Sequence, residues 1–136
     1  MDKRKFFKKW NGKQLEDWGG VVSPEYRSFQ RSLGLFMDSI AKEMGAEVTR
    51  KSNMHYDESY FVRKGENCVY VSHSNHLWNR TKIKLEDDAF LVRTAKSEND
   101  FHGGDNNYTD IWGLSNLIWK LLGESGVFEN CGTKVA

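Results

Sequence analysis

One segment, SPEYRSFQRSLGLFMDSIAKEMG, constrains the fold of this chain more than any other. Ser23 offers a side-chain oxygen as N-cap, Pro24 suits the first helical position, and Glu25 faces the positive end of the helix dipole. Tyr26, Phe29, Leu33, Phe36, Met37, Ile40 and Met44 then recur at three- and four-residue steps and form one apolar stripe. Gly45 supplies a left-handed stop. The pattern predicts an amphipathic helix over residues 24–44, with its Met and aromatic stripe turned towards a core.

A stripe of this length needs a partner surface, and the next segments supply one by changing period from 3.6 to 2. AEVTR reads as a short strand, and HYDESYFV and NCVYVSHS flank RKGEN, where Gly65 marks a hairpin turn. A two- or four-residue loop sets Arg63 opposite Cys68, Phe61 opposite Tyr70 and His55 opposite His76. Tyr60, Val62, Val69 and Val71 then share the core side. The other face carries His55, Asp57, Ser59, Phe61, Tyr70, Ser72, Ser74 and His76.

Further along, TKIKLEDD alternates like a short strand and AFLVRTA does so more strongly. KSENDFHGGDNNY is dense in turn formers, and a connection of that length in a compact domain tends to carry function. Thr109 is placed to cap a last helix over about residues 110–122, with Ile111, Leu114, Leu117, Ile118, Leu121 and Leu122 as its apolar stripe and Gly123 as its end. Residues 124–136 read as a loosely held tail, and residues 1–20 as a basic and aromatic lead-in. The expected architecture is a single α+β domain, an antiparallel sheet of three to five strands packed against the two helices. At 136 residues the chain suits one domain with a core of its own.

Charge is local. Residues 1–13 hold Lys3, Arg4, Lys5, Lys8, Lys9 and Lys13 against Asp2, a balance of +5, so a total of +1 leaves −4 on the remainder. Within the lead-in, KRKFFKKW sets Phe6, Phe7 and Trp10 among those cations. A helix of that size is not stable alone, so at least one of the rings is expected to dock on the domain while the lysines stay in water. Lys5, Lys8 and Lys9, with Arg93 and Lys96 downstream, are the candidate nucleic-acid contacts.

The two cysteines, Cys68 and Cys131, lack CxxC or zinc-ligand spacing and read as reduced thiols of a cytoplasmic protein. No apolar run reaches membrane-spanning length, and Asn11, Gly12, Lys13 and Gln14 interrupt the basic start where a signal peptide would become apolar.

Signals for chemistry are sparse. His73 and His76 are three apart, which on a strand sends them to opposite faces. His55, Asp57 and His76 form a better set: two imidazoles and a carboxylate would leave a metal open positions for hydrolysis. Against a nuclease of the restriction-enzyme type, the strand after Asp57 lacks an E-x-K triplet. G-x-S-x-G, P-loop and Rossmann patterns are also missing. In the FHGGDNNYTD loop, Gly103 and Gly104 permit close backbone approach, while Asp105 and Asp110 oppose an anion. The residues selected for binding are His55, Asp57, Phe61, Tyr70, His76, His102 and Asp105, with Phe61 and Tyr70 as exposed aromatic anchors.

FFKKWNGKQLEDWGG and SPEYRSFQ, together with RTAK and GGDNNYT, resemble small uncharacterised accessory proteins carried by mobile elements and phages of Gram-positive bacteria. The resemblance extends to about residue 122 and implies a compact cytoplasmic factor that helps an element persist in its host. Counter-defence inhibitors, anti-CRISPR proteins among them, share this size and act by occupying a nuclease surface. The function expected is therefore non-enzymatic binding to nucleic acid or a nucleic-acid enzyme, without a cofactor. The alternative is a metal-dependent hydrolase or nuclease using His55, Asp57 and His76.

Overall fold

The fold is seen in a computed structural model that describes residues 2–15, 23–52, 57–74, 82–98, 100 and 104–124. In chain order the elements are α1 (Lys3–Trp10), α2 (Pro24–Glu43), β1 (Glu47–Ser52), β2 (Asp57–Lys64), β3 (Asn67–Ser74), β4 (Phe90–Ala95), β5 (Asn107–Thr109) and α3 (Leu114–Glu124). The five strands form one antiparallel sheet in the order β1-β2-β3-β4-β5, so each pairs with its neighbour in sequence. This is the α+β architecture that the change of period predicts.

α2 follows its sequence closely. The Ser23 hydroxyl accepts the Tyr26 N–H at 3.1 Å, and Gly45 takes the left-handed φ of 70° just beyond the last turn. All seven residues of its apolar stripe are buried. They meet Tyr60, Val62, Val69, Val71, Phe90 and Val92 on one face of the sheet, and Leu114, Ile118, Leu121 and Leu122 from α3 complete the same core. The β2–β3 hairpin turns at Gly65–Glu66, with φ 61° at the glycine, and pairs Phe61 with Tyr70 and Arg63 with Cys68 as expected.

Four details differ from expectation. Residues 82–85 alternate as predicted, with Ile83 and Leu85 buried between exposed Lys82 and Lys84, yet they join no strand of the sheet. They bond instead to the lead-in: Gly12 N–H donates to Ile83 O at 2.7 Å, and Ile83 N–H to Lys13 O at 3.0 Å. Asn107–Thr109 falls inside the segment read as loop and helix cap but forms β5, because β4 presents an open edge whose backbone groups need partners.

α3 accordingly begins at Leu114 rather than near residue 110, and Thr109 is not its cap. Asp110 Oδ1 accepts the Gly113 N–H at 2.9 Å and closes a turn ahead of the helix, while the Thr109 hydroxyl donates to Asp110 O. Gly123 lies within the helix, which runs to Glu124. The tail from residue 125 and the pairing of His55 with His76 lie outside the described residues.

Candidate functional site

On the sheet face turned away from the helices, one cross-strand row reads Thr49, Phe61, Tyr70, Arg93 and the next Glu47, Arg63, Cys68, Ala95. Sequence periodicity makes this a solvated face with Phe61 as an exposed anchor. The structure corrects that reading, because Phe61 is 0% exposed and forms a second small core with Cys68, Ala95 and half-buried Tyr70. Phe61 and Tyr70 are in ring contact at 5.2 Å, and the Arg93 guanidinium stacks 4.2 Å from the Tyr70 centroid. Arg93 is itself buried, which removes it from the freely accessible cations.

The segment that follows β4 is bonded to the sheet beside this patch. Lys96 N–H donates to Asp100 Oδ2 at 2.9 Å, Asp100 N–H to Ser97 O, and Arg93 Nη1 to Asp100 O at 3.3 Å. Glu98 accepts the Thr49 hydroxyl at 2.6 Å and lies 3.8 Å from Arg63 Nε, whose Nη2 reaches Glu47 at 3.0 Å. These bonds close the segment into a polar arch on the Cys68 side of the patch. Burial raises the Cys68 thiol from its ordinary 9.0 to about 11; Glu98 adds to the rise, Arg63 opposes it, and Asp100 adds a smaller push.

Beyond the arch, a third row runs Tyr108, Leu91, Ser72, Ser59, with Tyr108 54% exposed. Asp57 sits in β2 opposite Ser74, whereas His55, His76 and His102 lie outside the described residues. Among the described residues no group of three His, Cys, Asp or Glu could hold a metal ion. Asp105 is exposed behind Gly104, whose φ of 63° and close passage against Thr94 require glycine. That glycine serves the turn into β5. Lys96 is exposed at the base of the arch.

The sequence reading missed a buried polar group on the helix-facing side. Glu58 and His73 are directly paired across β2 and β3, and both are buried. Gln30 Nε2 donates to Glu58 Oε2 at 2.6 Å. His73 Nε2 lies 2.7 Å from Lys84 O, and since a carbonyl only accepts, this nitrogen carries the proton. Its ring packs between Phe29 and Phe90, with centroids 5.5 and 5.1 Å away. The signal was present, since strand alternation places His73 with Val69 and Val71, and Glu58 with Tyr60 and Val62.

The lead-in gives the most distinctive surface. Asp2 caps α1 through Oδ1 to the Arg4 N–H. Phe6 stacks on Phe36 at 4.8 Å and Trp10 meets Phe29 edge-on at 5.4 Å, so both rings are buried in the main core. Phe7 is half-buried against Trp112 at 5.1 Å. At about 100° per residue, the three rings fall on one side and Arg4, Lys5, Lys8 and Lys9 on the other. All four of those cations are exposed, with Lys9 Nζ 5.1 Å from the Trp10 centroid, while Lys3 lies on the ring side.

Asn11 latches the end of α1. Its Oδ1 accepts the Leu85 N–H at 2.8 Å and its Nδ2 donates to Glu86 at 3.0 Å. Beside this latch lies a cavity of about 320 Å³ whose charged lining is balanced, Lys82 and Lys84 against Glu86 and Asp87.

Comparison with protein families, curated proteins and solved structures finds no match. Among the described residues no helix is long and apolar enough to cross a membrane.

Proposed function

We propose that the protein is a non-enzymatic, cytoplasmic accessory factor of a mobile element or phage that binds nucleic acid through the outward face of α1. One observation carries this reading: Phe6 and Trp10 are locked into the core, so Arg4, Lys5, Lys8 and Lys9 are exposed on the outer side of an anchored helix. Phosphate backbones are bound mainly by such cations, and holding them on a docked helix lowers the ordering cost. The net −4 on the rest of the chain confines strong attraction to this end.

The sign of the patch also favours nucleic acid over a nuclease. A protein that fills a nuclease's basic substrate channel would present acidic surface, and α1 presents the opposite. The metal-dependent alternative rests on His55, Asp57 and His76, whose side chains are outside those described, and no described residue adds to it.

The test is fluorescence anisotropy of labelled oligonucleotides over a salt series. Neutralising up to four phosphates gives a log–log salt slope of roughly −3 to −4. Lys5→Gln/Lys8→Gln/Lys9→Gln should reduce both the affinity and the slope. A wild-type protein that binds no oligonucleotide at low salt, or a triple variant that binds as well as wild type, would overturn the proposal.

A further inference from the structure

We infer that the nucleic acid taken by α1 is single-stranded, with a base stacked on the exposed indole of Trp112; this rests on the nucleic-acid reading above. Trp112 is 41% exposed, although a ring of this size normally buries most of its surface. It does not hang loosely. Phe7 of α1 supports it at 5.1 Å, and Lys3 Nζ donates to its carbonyl at 3.4 Å. The turn that carries it is closed by Asp110 accepting the Gly113 N–H and by Ile111 N–H donating to Leu85 O at 3.0 Å. The indole is thus presented rigidly, which limits the entropy lost when a ligand packs on it.

Charge complementarity selects the ligand. The ring that supports Trp112 belongs to α1, and Lys3, Arg4 and Lys8 all lie within one turn of Phe7 on that helix. Arg4 and Lys8 are exposed, so cations flank the aromatic surface, while the nearby carboxylates Asp110 and Asp2 are engaged by the Gly113 and Arg4 N–H groups. Aromatic rings beside a cationic track suit a strand with unpaired bases: phosphates meet the cations and a base meets the ring. A duplex keeps its bases stacked on one another and gains only the phosphate contacts.

The full chain is titrated into labelled oligothymidylate longer than about 16 nucleotides and into a duplex with equal numbers of phosphates. Wild type should bind the strand more tightly. Trp112→Ala should weaken strand binding by roughly five- to a hundredfold and leave duplex binding unchanged. Trp112→Phe, which keeps a stacking ring, should recover most of the loss, and matching circular dichroism and melting curves would show that both variants fold. Lys5→Gln/Lys8→Gln/Lys9→Gln should weaken both ligands.

If the lysine variant weakens both ligands while Trp112→Ala changes neither, the stacking inference falls and the nucleic-acid reading stands. If wild type binds neither ligand, both fall. Equal affinity for strand and duplex, equal losses on both ligands in Trp112→Ala, or a concentration-dependent dimer abolished by Trp112→Ala with strand binding intact would also overturn the inference.

Discussion

The guanidinium of Arg93 lies 4.2 Å from the centroid of the Tyr70 ring, on the sheet face turned away from the helices. The same side chain donates to the carbonyl of Asp100, so it joins the sheet to the polar arch beside Cys68. A planar cation suits this position because it can stack on a ring and hydrogen-bond through its edge together. Arg93→Ala is expected to destabilise the protein by about 1–3 kcal/mol in urea unfolding, and Arg93→Lys to recover only part of that. Hydrogen exchange should show faster exchange at the Lys96 and Asp100 amides, both of which donate within the arch. Unchanged protection there would mean that Arg93 does not hold the arch closed.

The buried Cys68 thiol gives the arch a signature at alkaline pH. Its folded value of about 11 lies above its ordinary 9.0, so between these limits the unfolded chain releases a proton that the folded chain retains. Stability therefore falls as pH rises through this window, by roughly 2–3 kcal/mol over its full width. Cys68→Ala removes the effect. The difference in unfolding free energy between wild type and variant should shift steadily towards the variant from pH 8 to pH 11. In a Cys131→Ser background at pH 8, Ellman's reagent should label Cys68 only as fast as the protein opens. Rapid labelling of the native protein would contradict both expectations.

The contact between His73 and Lys84 O predicts a fixed tautomer. Nitrogen-15 NMR should place the proton of the neutral ring on Nε2, with that N–H protected from exchange. His73→Ala would leave a gap between Phe29 and Phe90 and remove the donor to the carbonyl, a loss of about 2–4 kcal/mol. If the ring carries its proton on Nδ1, the contact to Lys84 O is not a hydrogen bond and the smaller loss of packing alone would be measured.

What could be read from sequence was what repeats over many residues. α2 shows one apolar stripe across its twenty residues, and its whole face is buried as its spacing requires. The hairpin register was legible because a glycine turn leaves few alternatives. Elements completed by distant partners were not. β5 is three residues long and exists because β4 has an edge to fill, while Ile83 and Leu85 alternate against the lead-in and not against the sheet. Phe61 looked exposed because strand alternation alone does not show that Cys68, Ala95 and Tyr70 pack with it as a second core on this face. The outward gathering of the α1 lysines was present in the helical angles and needed only the inward rings to orient it.

Asn11 ties that orientation to the rest of the molecule, which separates the role of the anchored helix from the role of its charge. Its two amide atoms hold Leu85 N–H and Glu86 just past the last turn of α1. Asn11→Ala removes both bonds without altering the net charge. It is expected to cost about 1–2 kcal/mol in stability, since the buried-side Leu85 N–H loses its acceptor. If binding depends on cations held in place, Asn11→Ala should also weaken oligonucleotide binding several-fold at constant salt while leaving the log–log slope near its wild-type value, because the number of cations is unchanged. The lysine triple variant should instead flatten the slope. Wild-type affinity in a destabilised Asn11→Ala protein would show that α1 binds equally well when unlatched, so that its charge alone would account for recognition.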